Sequence, residues 1–195
     1  MFVLGLTGSI GMGKSTTAQM FADQGCAVWD ADAAVHRLYA TGGAAVPAFK
    51  DSFPEAVIDG EISRAMLKEI IGRDATALKR IEAIVHPLVG QDRADFLAKA
   101  DTDIVVLDIP LLFETGGDAR VDATACVFTD DATQEARVLA RGTMTREQFL
   151  GIKGKQLPAK EKCARATYVI ETDTLEHARA QVQNIVQIIR SQHHA

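Results

Sequence analysis

The chain has 195 residues, 47% of them apolar, with 21 basic and 26 acidic side chains and a formal net charge of -5. That is enough apolar material for one full core, so a single compact α/β unit with small appendages is expected and two equal domains are not. The mildly acidic balance excludes a dominant nucleic-acid surface, which needs a basic face, but allows a local basic pocket for a phosphorylated metabolite.

Cys26, Cys126 and Cys163 are odd in number, widely separated and without metal-ligand spacing, which suits a reduced, cytoplasmic protein. Apolar runs such as 104–107 are too short to span a bilayer. Met1 leads straight into a strand-like segment with no basic leader, so neither membrane insertion nor export is expected.

In chain order, Phe2 to Leu6 reads as a strand, and Lys14 to Asp23 as a helix stopped at Gln24-Gly25. Cys26 to Trp29 is a second strand. Asp30-Ala31-Asp32 then offers N-cap chemistry to a helix running toward Tyr39. From Ala44 to Ala100 the strand signal disappears, leaving helical pattern punctuated by Pro47, Pro54, Gly60, Gly72 and Pro87. Asp103 to Asp108 and Ala123 to Phe128 are nearly continuous apolar runs that suit parallel strands buried on both faces. Asp130 and Asp131 can cap the next helix, to Arg141. Gly142 to Cys163 is polar and basic and reads as a mobile helical excursion. Thr167 to Ile170 is the last strand, and the terminal helix lines up Leu175, Ala178, Val182, Ile185, Val186 and Ile189 for packing on the sheet.

Strands separated by helices imply an α/β fold with a doubly wound parallel sheet, binding ligands at the strand carboxyl ends. The core is expected over about 1–34, 101–136 and 166–195, with a helical insertion over 35–100 and a short helical lid over 137–165.

Gly8-Ser9-Ile10-Gly11-Met12-Gly13-Lys14-Ser15 completes G-x-x-x-x-G-K-[ST] between a predicted strand and a predicted helix, as a P-loop requires. Its glycines let backbone N–H groups close around phosphates, and the helix points its positive end inward. Lys14 is expected to reach the β- and γ-phosphates of ATP and Ser15 to meet Mg2+, with Thr16 in the first helical turn. The loop alone does not say whether water, a protein or a metabolite accepts the phosphoryl group.

Asp30 and Asp32 follow the second strand, where capping and catalysis weigh equally, and one can cap while the other accepts a proton. Asp108 closes its strand in the manner of a Walker-B acid, and Asp30 or Asp108 can hold Mg2+ through water. Leu111 stands where switch GTPases place glycine, and no Asn-Lys-x-Asp motif occurs, which argues against a regulatory GTPase. His86 before Pro87 reads by itself as the end of a helix. His36 and His177 read as surface or packing residues, His193-His194 as incidental, and Trp29 as core. The cluster Arg137, Arg141, Arg146, Lys153, Lys155, Lys160, Lys162 and Arg165 reads as a solvated helical face, part of which can close over ATP.

The order Gly5-Leu6-Thr7-Gly8, the P-loop, Asp30-Ala31-Asp32, Ile84-Val85-His86-Pro87-Leu88-Val89 and Leu107-Asp108-Ile109-Pro110-Leu111-Leu112-Phe113-Glu114 resembles dephospho-coenzyme A kinase over nearly the whole chain. Gln134, Arg137, Arg141 and Gln156 follow the same pattern. The resemblance implies transfer of the γ-phosphate of ATP to the ribose 3′-hydroxyl of dephospho-coenzyme A, while charge and the short apolar runs imply neither a nucleic-acid nor a membrane partner. It implies Asp32 as general base, Lys14 and Ser15 as phosphate and Mg2+ groups, and Arg141 as lid cation. Arg137 would sit with Arg141 on ATP, while His86, Leu112, Phe113 and Glu114 would line the acceptor pocket. Gly142 and Thr167 depart from the pattern. Another nucleoside or nucleotide kinase, or an ATP-binding switch, are the competing readings.

Overall fold

The computed structural model describes residues 1–193; His194, and the side chain of His193, lie outside the described residues. The chain packs as two compact units, one of Met1–Trp29 with the chain from Ala100 onward, the other of Asp30–Lys99.

The first unit begins with β1 (Phe2–Thr7), whose last four residues are buried. A glycine-rich loop leads into α1 (Lys14–Asp23), and β2 (Ala27–Asp30) follows the Gly25 turn. The second unit holds α2 (Ala31–Tyr39), α3 (Val46–Ser52), a 3₁₀ turn at Pro54–Ala56, β3 (Val57–Ile58), β4 (Glu61–Ile62), α4 (Arg64–Arg73) and α5 (Ala77–Lys99). Leu38, Phe49, Phe53, Leu67, Ile70 and Ile81 form its core. The Phe49 ring stands edge-on to Tyr39, a favoured aromatic geometry.

Two expectations fail in this unit. A small hairpin interrupts the helices, Val57 pairing with Ile62 around Asp59-Gly60, both at positive φ. Asp-Gly is a strong two-residue turn signal, but strands of two residues are too short to show alternation. The helix also does not end at His86: α5 runs through Pro87. Its apolar stripe continues across the proline, with Ile81 and Val85 buried before it and Leu88 and Val89 half-buried after it. Packing there outweighs the backbone bond that proline forfeits.

The chain returns to the first unit with β5 (Ile104–Asp108), buried along its whole length, and a 3₁₀ turn at Gly117–Arg120. Then come β6 (Ala123–Phe128), α6 (Asp131–Ala140), α7 (Arg146–Lys155), α8 (Ala159–Arg165), β7 (Tyr168–Glu171) and α9 (Leu175–His193). The five-stranded sheet has the order β2-β5-β1-β6-β7. β1 pairs in parallel with β5 on one side and β6 on the other, and β7 adds in parallel to β6. The α/β parallel sheet expected from the sequence is therefore present. With β1 at its centre, the loop after Thr7 opens between the carboxyl ends of two flanking strands, where an open α/β sheet offers its ligand crevice.

One stripe of α9, Ala178, Val182, Ile185, Val186 and Ile189, is buried against Met20 and Phe21 of α1 in the main core. Leu175, expected on that stripe, is 66% exposed because it stands at the first turn. Among the described residues no helix is long and apolar enough to cross a membrane.

Candidate functional site

The loop is shaped by what presses on it. A Cβ on Gly8 would fall 2.2 Å from Val127 Cγ2, so only glycine lets the chain pass β6. Gly11 has φ 77, and a Cβ there would meet Val138 Cγ2 at 2.5 Å. Met12 is buried and accepts a hydrogen bond on its sulfur from the Thr129 N–H at 3.1 Å. Thr172, just past β7, donates to the Met12 carbonyl at 2.8 Å, and Arg137 Nη1 donates to the Thr172 hydroxyl at 3.0 Å. A second Arg137 nitrogen bonds the Thr172 carbonyl. Arg137 thus braces the loop through Thr172.

Gly13 caps α1 in the left-handed region without a side-chain bond, and the first turn holds no acidic residue. The N–H groups of that turn, at the positive end of the helix dipole, are left for an anion. Lys14 begins the helix with its side chain 15% exposed and paired to the buried Asp108 carboxylate at the end of β5. Ser15 and Thr16 are exposed beside it. A neighbouring cavity of about 380 Å³ is lined by Gly13, Thr16, Arg137, Arg141, Thr172 and Leu175 among others, a size that takes a nucleoside. Arg141 ends α6, is exposed, and its guanidinium is bonded to nothing among the described residues. The two arginines therefore share a cavity but differ in state: Arg137 is engaged and Arg141 is available.

The basic segment after α6 is not one solvated face. Lys162 is fully buried, its ammonium donating to Glu114 Oε1 at 2.8 Å and to the Pro110 carbonyl at 3.0 Å. Glu114 also accepts from the Leu157 N–H at 3.0 Å. Burial alone would raise the Glu114 carboxyl, but the bonds from Lys162 and Leu157 outweigh it and hold the group below its ordinary value. Nothing local marks Lys162 for burial, since its partner lies 48 residues away in sequence. Leu112 is also fully buried, against the face of Gly5, where a Cβ would come within 2.8 Å of Leu112 Cδ2. Phe113 is buried with the Arg165 guanidinium 4.6 Å from its ring centre.

The two departures have structural explanations. Gly142 takes φ 63 and ends α6, its N–H returning to the Leu139 carbonyl. Thr167 exchanges bonds with Thr124, its N–H donating to Thr124 Oγ1 at 3.0 Å and its hydroxyl accepting from Thr124 N–H at 3.2 Å. That contact lies at the amino end of β7, whereas the cavity lies past its carboxyl end.

In the second unit, Asp30 caps α2 by accepting from the Ala33 N–H at 2.8 Å. Asp32, in the first turn, is exposed and takes no hydrogen bond among the described residues. His86 is exposed on α5.

A sequence model of the family described as dephospho-CoA kinase matches residues 2–177. The dephospho-CoA kinase of Ruegeria pomeroyi is 66% identical over 190 residues, 97% of this chain and 96% of that one. Among solved structures, TT1252 from Thermus thermophilus is similar with a TM-score of 0.86 at 34% identity, covering 96% of both chains. The dephospho-CoA kinase of Campylobacter jejuni shares the fold, with a TM-score of 0.68 at 23% identity over 97% of this chain and 98% of that one.

Proposed function

The chain belongs to the dephospho-CoA kinase family and has its activity, the ATP-dependent final step of coenzyme A synthesis, and on that premise we propose which residues do the work. ATP lays its phosphates in the loop Gly8–Ser15 and its nucleoside in the cavity beside Arg137 and Arg141. Lys14 leaves Asp108 for the β- and γ-phosphates, where it neutralises charge that develops during transfer. Mg2+ takes hard oxygen donors, and the exposed Ser15 hydroxyl and the Asp108 carboxylate are of that kind, so the residues fit the ion. It would supply Lewis-acid charge neutralisation at the phosphates.

Arg141 is the cation assigned to the transition state, because among the described residues its guanidinium has no other partner while that of Arg137 holds Thr172. Asp32 is the general base toward the ribose 3′-hydroxyl of dephospho-CoA. His86 and the Leu112–Glu114 turn serve the acceptor side, the turn through its backbone and shape, since Leu112 is buried and Glu114 is committed to Lys162 and Leu157. The enzyme is read as cytoplasmic, in keeping with its three unbridged thiols.

The observation that carries the base assignment is the division of labour at α2: Asp30 caps the helix and leaves Asp32 unengaged among the described residues. The test is turnover of Asp32→Asn beside Asp30→Asn at saturating substrates. Losing a general base costs about 10²- to 10⁴-fold in kcat, and that loss is expected at position 32 with melting temperature and ATP affinity kept. Asp30→Asn keeps a capping side chain and should stay near normal. Normal turnover in Asp32→Asn removes it from the role.

A further inference from the structure

We propose that Gln134 and Gln156 are paired positioning residues that fix the peptide planes at the crest of the phosphate loop, and that Gln156 thereby couples the helical segment 146–165 to ATP affinity. The proposal rests on reading the loop as the ATP site.

Both backbone polar groups of Ile10 are taken by side-chain carboxamides. Gln134 Nε2 donates to the Ile10 carbonyl at 2.7 Å, and the Ile10 N–H donates to Gln156 Oε1 at 3.1 Å. The two glutamines come from different segments: Gln134 lies within α6 and is fully buried, while Gln156 ends α7 and is half-buried. A peptide unit is planar, with its C=O and N–H pointing opposite ways. Holding the Ile10 carbonyl toward Gln134 therefore turns the Gly11 N–H away from α6. Holding the Ile10 N–H toward Gln156 turns the Ser9 carbonyl the other way, where it accepts from the Met12 N–H at 3.2 Å. Two consecutive planes are set in this way immediately before Gly11, whose missing side chain restrains the backbone least.

The residue type suits the place. An acidic side chain would set its charge beside a polyanion, and a lysine would donate but could not accept the Ile10 N–H; a carboxamide does either job without net charge. Gln134 also carries a buried Oε1 with no hydrogen-bond partner among the described residues, a cost that ordinary packing would avoid by an apolar residue. Gln156 is anchored in turn, since the next residue, Leu157, gives its N–H to Glu114. A shift of α7 or of the Glu114 turn reaches the Ile10 N–H through that carboxamide.

The experiment compares wild type, Gln156→Met, Gln134→Met and the double variant, methionine matching glutamine in size while removing its polar atoms. ATP KM and kcat are measured at saturating dephospho-CoA, with melting temperature alongside. Gln156→Met is expected to raise ATP KM about five- to tenfold with kcat within about twofold, the effect of one hydrogen bond that sets ground-state and transition-state binding alike. The double variant should fall well short of the product of the two single effects, because both hold neighbouring planes. An unchanged ATP KM in Gln156→Met, with or without a lower melting temperature, overturns the proposal, as does a loss confined to kcat. Position 156 is half-buried and decides the matter alone if Gln134→Met does not fold. Wild-type protein that consumes no ATP would overturn the reading of the loop itself, a result distinct from variants that match an active wild type.

Discussion

Removing the ammonium at Lys162 tests whether a lysine with no exposed surface pins the segment after α6. Lys162→Met keeps the length of the side chain but deletes the bonds to Glu114 and the Pro110 carbonyl, leaving Glu114 with the Leu157 N–H. Breaking a buried pair from one side costs about 3–5 kcal/mol, because a charge is left behind. The Glu114 side chain is 18% exposed and can recover part of its hydration, so the expected loss is nearer about 2–3 kcal/mol. In a protein of this size each kcal/mol moves the melting temperature by about 2–4 °C, which gives a drop of about 4–12 °C. Differential scanning calorimetry of Lys162→Met, Glu114→Gln and the double variant measures it. The double variant should be more stable than Lys162→Met, since it removes the stranded carboxylate. A Lys162→Met protein within about 1 °C of wild type would refute the pinning, and additive losses would show that the two side chains do not act as a pair.

The stability that Glu114 contributes should be pH-dependent: its folded value lies below the ordinary 4.5, so the contribution is complete above that pH and disappears as pH falls through the folded value. The melting-temperature gap between wild type and Glu114→Gln should therefore narrow below about pH 4.5. Lys14→Met should abolish detectable turnover and also lower the melting temperature of ligand-free protein, because Asp108 loses a partner; near-normal turnover would exclude the phosphate role. Arg141→Ala should reduce kcat by up to about 10³-fold with a smaller change in ATP KM, whereas Arg137→Ala should raise ATP KM and loosen the Thr172 brace. The opposite assignment of those two signatures would exchange the arginines.

Legibility in the sequence followed the range of the interaction. The strands of the sheet are continuous apolar runs and the phosphate loop is a contiguous motif, so both were readable, as was Asp30-Ala31-Asp32 as a cap beside an available acid. Which aspartate capped was not readable, because either position can bond a first-turn N–H until the backbone is set. The burial of Lys162 is not legible, because helix position and composition say nothing about an acid on a distant turn. Gln134 and Gln156 were visible only through the family resemblance, since a carboxamide gains its role from a peptide group over a hundred residues away. Leu175 failed for a local reason: a periodic stripe extended one turn too far includes a residue that the helix start leaves in solvent.

Two lysine–carboxylate pairs of the first unit, Lys162–Glu114 and Lys14–Asp108, differ in what surrounds them, and the difference bears on catalysis. In the first pair the ammonium is enclosed: Lys162 has no exposed surface and spends a second bond on the Pro110 carbonyl. That arrangement suits a permanent fastening, since separating the ions would strand a buried ammonium. Lys14 keeps some exposure at the mouth of an anion nest and begins the very helix whose N–H groups are uncapped. A polyphosphate arriving there offers the ammonium a partner of greater charge, so the lysine can change partners without ever being left unpaired. On the proposed reading, Asp108 holds Lys14 in place before ATP arrives and becomes an available oxygen donor when it does. The low local dielectric that makes an unpaired charge costly then favours the exchange, and the loop that Gln134, Gln156 and Arg137 keep in shape need not reorganise when the triphosphate enters.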